Sequence, residues 1–255
     1  MTQTRNGLIG HTGFLGGNLV RQAPFDACFH SKNIGEIRGQ EFDLLVCGGI
    51  TAVKWWANQN PAEDRARIES LVENLKAVRA KRFIVLSTVD VYPRNQGADE
   101  TFDCHSLPNH AYGTNRLYFE EAVSRLFEDV LIVRISGVFG PGLKKNVIFD
   151  LLHDNCLDAI NPDCRFQYYN VGRLWRDLET AQQAGLRLVN FVGAPLRTGE
   201  LIERFFPGKM VGAKAGPAIH YDLRTLHSAT FGGPAGYLTS EADTLRDISA
   251  FVAAA

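Results

Sequence analysis

The sequence carries almost no excess charge: 27 lysines and arginines stand against 28 aspartates and glutamates, a formal net charge of -1. That balance gives the molecule no overall attraction to nucleic acid or to an anionic membrane surface, and favours a small neutral or anionic ligand. Long hydrophobic runs are also missing, and none approaches the roughly 18 residues of a membrane-spanning helix. The opening stretch, MTQTRNGLIG, lacks the basic, apolar and small-residue regions of a secretory signal, so the expected location is the cytoplasm. The five cysteines (Cys28, Cys47, Cys104, Cys156 and Cys164) include no CxxC and no zinc-type spacing, which argues against a metal site and for reduced packing thiols. Cys104 and His105 are neighbours in sequence, but a nucleophile and its base need only be neighbours in space. No internal repeat and no low-complexity stretch is present.

What is present is a core. With 255 residues, of which 45% are hydrophobic, the chain can bury one large domain or slightly more. Short apolar runs at residues 7–10, 27–30, 43–47, 82–87, 130–135 and 186–192 alternate with helix-like stretches at 14–22, 60–80, 111–127 and 173–184. Strands separated by helices are the pattern of a parallel sheet covered on both faces, and predict an α/β, doubly wound fold. After GVFGPGL (137–143) and again at GAPLRTGE (193–200) proline and glycine interrupt the pattern. These breaks predict a sheet domain of residues 1–139 and 166–192, and a small C-terminal substrate lobe of residues 140–165 and 193–255.

The first strand runs into GHTGFLGGNLV, with glycines at 10, 13 and 16. In a strand-to-helix turn Gly10 permits the tight bend, Gly13 lets backbone approach a pyrophosphate, and Gly16 lets the new helix pack closely on the strand. The loop as a whole, Gly10, Thr12, Gly13, Phe14, Leu15 and Gly16, is a candidate dinucleotide cradle. Dinucleotide sites place an Asp or Glu near the end of the second strand to hold the adenosine ribose, but here the chain reads FHSKN and no carboxylate appears before Glu36. His30, Ser31 and Lys32 occupy that place, and Ser31 and Lys32 suit a 2'-phosphate, so NADP is favoured over NAD. From Ser31 to Phe42 there are only twelve residues, barely a minimal crossover, so an element is missing on that edge.

Further on, RFIVLSTVDVY puts Ser87 and Thr88 at the carboxyl end of a strand, where open α/β sheets bind ligands. In YGTNR, helical spacing stacks Tyr112 and Arg116 on one face. A cation one turn from a phenol favours the phenolate and is expected to depress its pKa from about 10.

The order of GHTGFLG, STVDVY, YGTNRLYFE and RISGVFGPG resembles the extended short-chain dehydrogenase/reductase family, which includes nucleotide-sugar epimerases, dehydratases and 4-ketosugar reductases. The likeness spans roughly residues 7 to 142, with a fainter echo in LVNFVGAPLRTGELIERF. It implies a Rossmann-like fold and an enzyme acting on a nucleotide-linked sugar with NADP or NAD. Carried over by position, it makes Thr88 the group that binds the substrate oxygen and Tyr112 the proton donor or acceptor there. Arg116 stands where the family has the lysine that holds the nicotinamide ribose, and a planar, always-charged guanidinium differs from a compact ammonium able to feed a proton relay. Gly48 and Gly49 line the cofactor by the same resemblance, along with Ser87, Tyr112 and Arg116. Trp55 and Trp56, in a loop-like KWWANQNP, close a pocket or pack at a lobe contact; His105 and His110 are candidate auxiliary acids or exposed loop residues. Lys144 and Lys145 follow GPGL, where family members engage the substrate diphosphate, and are equally consistent with surface lysines. Arg173 and Trp175 replace the acidic turn often found in that region. A homodimer through the helices at 60–80 and 111–127 is a further implication. The substituted Arg116 and absent ribose acid leave open a protein that binds the cofactor without turnover, as a regulator or partner module.

Overall fold

The structure is a computed structural model and describes residues 4–255. In chain order its elements are β1 (Asn6–Ile9), α1 (Phe14–Leu19), β2 (Ala27–Phe29), β3 (Glu41–Cys47), α2 (Lys54–Gln59), α3 (Pro61–Leu75), β4 (Arg79–Thr88), α4 (Ala111–Leu126), β5 (Val130–Ile135), β6 (Gly137–Phe139), α5 (Val147–Leu152), β7 (Arg165–Phe166), β8 (Tyr168–Asn170), α6 (Leu174–Gln183), β9 (Leu188–Phe191), β10 (Leu196–Arg197), α7 (Thr198–Phe205) and α8 (Glu241–Ala253). Six strands form one parallel sheet in the order β2-β1-β3-β4-β5-β9, the doubly wound α/β arrangement expected from the sequence.

Strand order reverses between β1 and β3, so the loops after these two strands lie side by side and create the crevice in which open α/β sheets hold ligands. Strand β5 is buried along most of its length and β4 at Phe83–Leu86, where helices cover the sheet. On one face Phe42, Leu45, Phe83 and Val85 from the sheet pack with Ile68, Val72 and Leu75 of α3 and Phe119 and Val123 of α4. Stacking of Phe83 on Phe127, with ring centroids 4.4 Å apart, closes the far end of this layer. Between β2 and β3 there is only a 3-10 turn, Ile34–Ile37, anchored by the fully buried Ile37, in place of a crossover helix and a further strand.

The chain divides into two compact units: residues 1–94, 101–134 and 175–189, and residues 95–100, 135–174 and 190–255. The boundaries differ from those read in the sequence because the short parallel pair β6–β8 packs into the second unit, whose core joins Phe139, Tyr168, Leu196, Leu201 and Ile248. Residues 95–100 join it too: Glu100 accepts from the backbone of Asn190 and Leu226 and from the hydroxyl of Thr225, pairings far apart in sequence.

The stretch KWWANQNP, read as loop-like, contains the six-residue helix α2. Its Ala57 is fully buried, Trp56 lies under the guanidinium of Arg67 at 4.3 Å, and Trp55 stands 66% exposed. Among the described residues no helix is long and apolar enough to cross a membrane, and no cluster of three or more His, Cys, Asp or Glu is arranged to hold a metal. All five cysteines are free, and burial pushes the Cys47 thiol up to about 12.

Candidate active site

The glycine loop is held in place by backbone approach. Gly10, at φ +90°, donates its N–H to the carbonyl of Phe29 on β2, and a Cβ there would lie 2.6 Å from the backbone of Gly48 after β3. A Cβ on Gly16 would fall 2.2 Å from the carbonyl oxygen of Gly10, so only glycine lets α1 start this close to β1. Thr12 and Gly13 are exposed at the mouth of the turn, Phe14 and Leu15 open the helix, and Gly13 caps it with no side-chain bond. Gly49 is exposed beside the loop, and a Cβ on it would meet Ile9 at 2.7 Å. A turn that has no room for a Cβ at Gly10, Gly16 or Gly49 fits the close backbone approach of a dinucleotide.

At the end of β2 the His30 and His11 rings meet edge to face, 5.3 Å apart. Ser31 and Lys32 follow in an exposed turn tied down by Asn33, which accepts from the His30 backbone. Asp26, the acid nearest β2, is spent on the backbone N–H of Asn6.

The second group of residues gathers at the carboxyl end of β4. The N-terminus of α4 is pressed against the turn that follows this strand: Asn109 donates to the carbonyls of Asp90 and Val91, and a Cβ on Gly113 would sit 2.1 Å from the Asp90 carbonyl oxygen. His110 caps the helix, its Nδ1 accepting from the Gly113 N–H at 3.0 Å, and Asn58 of α2 accepts from the Tyr112 N–H at 2.9 Å. Glycine in YGTNR is therefore a steric requirement that lets Tyr112 sit against the turn following Thr88.

Thr88 is itself held by Asp90. Its hydroxyl oxygen accepts from the Asp90 N–H at 3.1 Å and lies 3.5 Å from the Asp90 carboxylate, whose other oxygen binds the Lys54 ammonium at 2.7 Å. Two ion pairs thus flank the phenol. One, Lys54–Asp90, is partly open to solvent; the other, Arg116–Asp64, is sealed, with side-chain exposures of 4% and 3%.

Arg116 corrects an expectation. Its guanidinium donates to Asp64 of α3 and to the Thr51 carbonyl, and its carbon lies 3.9 Å from the centre of the Tyr112 ring. Asn115 also donates to Asp64, at 2.8 Å. Arg116 does lower the phenol pKa, as foreseen, but the net shift is upward. Burial dominates and raises the phenol above its ordinary 10, while Arg116, Lys54 and the Thr88 side chain lower it and Asp90 raises it further.

Ser87 turns its hydroxyl to Glu120, which also binds Arg134 through two oxygens in a buried pair at 2.7 to 3.2 Å. His105 lies apart from Tyr112, 68% exposed at its side chain and bonded to Glu121. His110 stays at the site, its pKa lowered by burial and by Lys54 and partly restored by Asp90. Lys144 and Lys145 are exposed in the second unit. Lys54, Asn58, Asp64 and Asp90 went unassigned in the sequence; Asp90 lies inside the quoted STVDVY, whereas Asp64 looks like any acid in the first turn of a helix.

The parallel sheet, with its strand order reversing at the glycine turn, defines a Rossmann-like protein. The chain belongs to the NAD dependent epimerase/dehydratase family, whose sequence profile matches residues 44–206. Similar solved structures include the UDP-glucose 4-epimerase of Thermotoga maritima with UDP-glucose (15% identity, 98% of each chain, TM-score 0.74). The dTDP-4-dehydrorhamnose reductase of Bacillus anthracis in complex with NADP is also similar (15% identity, all of each chain, TM-score 0.75). A third is the UDP-N-acetylglucosamine 4-epimerase of Methanobrevibacter ruminantium in complex with UDP-N-acetylmuramic acid (14% identity, 99% of this chain and 98% of that one, TM-score 0.76). At these identities the likeness is one of fold. No curated protein matches the chain by sequence.

Proposed function

We propose that the protein is an NAD(P)-dependent oxidoreductase or epimerase acting on a nucleotide-linked sugar, with Tyr112 as the proton donor or acceptor. The observation that carries this reading is the placement of Tyr112 at the carboxyl end of β4, where Gly113 packs against the Asp90 carbonyl of the turn that follows Thr88, in a chain whose glycine loop fits a dinucleotide. Gly10, Gly13 and Gly16 would hold the pyrophosphate against backbone, and Gly48 and Gly49 leave room beside it. A bound nicotinamide supplies or takes the hydride. Thr88 orients the reacting oxygen, and Tyr112, protonated at neutral pH because burial raises its pKa, gives that oxygen its proton when a carbonyl is reduced. Arg116 acts on Tyr112 from the ring face and fixes α4 to α3.

NADP is the preferred cofactor in this reading, since Ser31 and Lys32 are exposed where the ribose acid would stand and Asp26 is bonded elsewhere. A homodimer through α3 and α4, and a cytoplasmic location, belong to the same proposal. Calorimetric titration with NADPH and with NADH tests the cofactor; assays with UDP-glucose and with dTDP-4-dehydrorhamnose, the sugars of the structural relatives, test the chemistry. Binding of NADPH at least about tenfold tighter than NADH supports the assignment of Ser31 and Lys32. Binding of neither dinucleotide overturns the enzyme reading.

A second reading is favoured by one observation: the guanidinium of Arg116 is committed to Asp64 and Thr51 and is not free to hold a ribose. A protein of this fold that binds NAD(P) without turnover, as a regulator or partner module, fits that arrangement. Tight dinucleotide binding with no turnover of either sugar is its signature.

A further inference from the structure

Two imidazole rings meet where this fold holds the adenosine ribose, at the end of the second strand: His11, directly after Gly10, and His30, directly after β2, with ring centroids 5.3 Å apart. Each has one ring nitrogen already committed. His11 Nδ1 lies 3.1 Å from the Phe29 carbonyl, which can only accept, so Nδ1 carries a hydrogen and Nε2 of the neutral ring is a bare lone pair. His30 Nδ1 accepts from the Lys32 backbone N–H at 3.3 Å, so its neutral ring carries the hydrogen on Nε2. Asn33 pins the turn that presents His30, accepting from the His30 N–H at 2.7 Å and donating to the Cys28 carbonyl. Two neighbouring rings of opposite hydrogen-bond polarity result.

We propose that His11 is a specificity-determining residue for the cofactor, accepting from a ribose 2'-hydroxyl when neutral and donating to a 2'-phosphate once protonated. The proposal rests on the reading of the glycine loop as a dinucleotide site. A 2'-hydroxyl is held in this fold by an acceptor, ordinarily a carboxylate, and Asp26 is spent on the Asn6 N–H. The Nε2 lone pair of His11 is an acceptor in that neighbourhood. A 2'-phosphate instead needs donors, and one proton on Nε2 adds a charged donor to His30 Nε2–H, the Ser31 hydroxyl and the Lys32 ammonium. His30 is unsuited to the same change, because a proton on its Nδ1 would expel the Lys32 N–H. The proton comes from water, forms one N–H bond at His11, and leaves with the ligand.

A purely structural role for His11 would be to tie the glycine loop to β2. That tie exists without it, since the Phe29 carbonyl already receives the Gly10 N–H at 2.7 Å. The imidazole bond is a second one on the same oxygen, and what it adds is a fixed ring orientation and tautomer. Few charges surround the ring. The helix α1, FLGGNL, carries none, and Gly48 and Gly49 after β3 are uncharged. From β2 and its turn come Cys28, whose thiol is pushed up by burial and stays neutral, then His30, the exposed Lys32 and the exposed Glu36 of the 3-10 turn. Among the described residues no carboxylate bonds either ring, so a proton on His11 Nε2 finds its partner in the ligand.

The test is calorimetry of the full chain with NADPH and with NADH at about pH 7.5, in buffers of different ionisation enthalpy, which counts the protons bound with each ligand. The native chain is expected to take up at least about half a proton with NADPH and almost none with NADH. The 2'-phosphate cannot mimic this, because its own second pKa is near 6 and cationic donors make it release protons. In His11→Asn, whose amide N–H can keep the bond to the Phe29 carbonyl, and in His11→Gln, the NADPH uptake should fall by at least about half. The ratio of NADPH to NADH affinity should fall about tenfold. Equal uptake with both dinucleotides in the native chain overturns the proposal without need of a variant, and so does undiminished uptake in the two variants. Absence of binding heat with either dinucleotide defeats the functional reading itself, a result distinct from binding without differential proton uptake.

Discussion

Arg116 and Asp64, 52 residues apart in sequence, form an ion pair sealed inside the sheet domain, and Asn115 adds a second donor to the same carboxylate. Deleting one member of such a pair strands the other without water or a counter-charge. Asp64→Ala is expected to cost about 3–5 kcal/mol in urea unfolding, whereas the double variant Asp64→Leu/Arg116→Met should lie much closer to the native chain. A double variant as unstable as the single one would show that the pair does more than neutralise itself.

Removing the phenol tests the chemistry. Tyr112→Phe keeps the ring under Arg116 but deletes the proton-carrying group. Turnover is expected to fall by about 10²–10⁴, the usual worth of a positioned acid or base, with NADPH affinity little changed by calorimetry. Unchanged activity would remove Tyr112 from the mechanism.

Gly16→Ala probes the cradle. Its Cβ would meet the Gly10 carbonyl at 2.2 Å, so the helix must retreat from the loop that would hold the pyrophosphate. The expected result is loss of the thermal stabilisation that NADPH gives the native protein. Equal stabilisation of the variant would place the cofactor elsewhere.

Gly113→Ala gives a prediction with an unusual sign. Inside an ordinary helix the replacement would stabilise by about 1 kcal/mol through propensity. Here the new Cβ would lie 2.1 Å from the Asp90 carbonyl oxygen, and backbone cannot give way cheaply. The variant is expected to be less stable than the native chain and to lose activity, since Tyr112 and Thr88 separate. Heat denaturation and sugar turnover read the two effects.

His110 makes stability depend on pH. Burial lowers its pKa from 6.5, so the folded protein resists a proton that the unfolded chain accepts. The contribution is complete above the unfolded value and is lost as pH falls from 6.5 through the lowered folded value. A protonated imidazole also surrenders the Nδ1 lone pair that caps Gly113. His110→Asn retains a capping acceptor without titrating, and should flatten the fall in melting temperature between pH 7 and 5 relative to the native chain.

The architecture was legible where hydrophobic pattern alone decides it. The run VLIVRI coincides with β5, and the twelve-residue link after β2 announced the missing crossover. KWWANQ was not legible as a helix, because its six residues are too few to show a period and it is held by tertiary contacts at Trp56 and Ala57. At the candidate site, the residues that helical spacing brings into contact, Tyr112 and Arg116, were legible. Those that meet them only through the fold were not: Asp64 and Lys54 reach the site from α3 and α2, and no local pattern links an acid at 64 to an arginine at 116. The direction of the Tyr112 shift failed for the same reason, since spacing reveals the nearby cation but neither its buried counter-charge nor the burial of the phenol itself.

The brevity of β2 has a consequence for how the protein behaves in a crowded solution. The terminal strand of a sheet is a template on which a foreign chain can add itself, strand upon strand. This one is three residues long, and the carbonyl of Cys28 is already claimed by the Asn33 amide in the turn that follows. The same truncation that dispenses with a crossover helix leaves almost no backbone for a second molecule to zip onto, so the exposed margin of the sheet resists fibre-like growth without needing a helix to shield it.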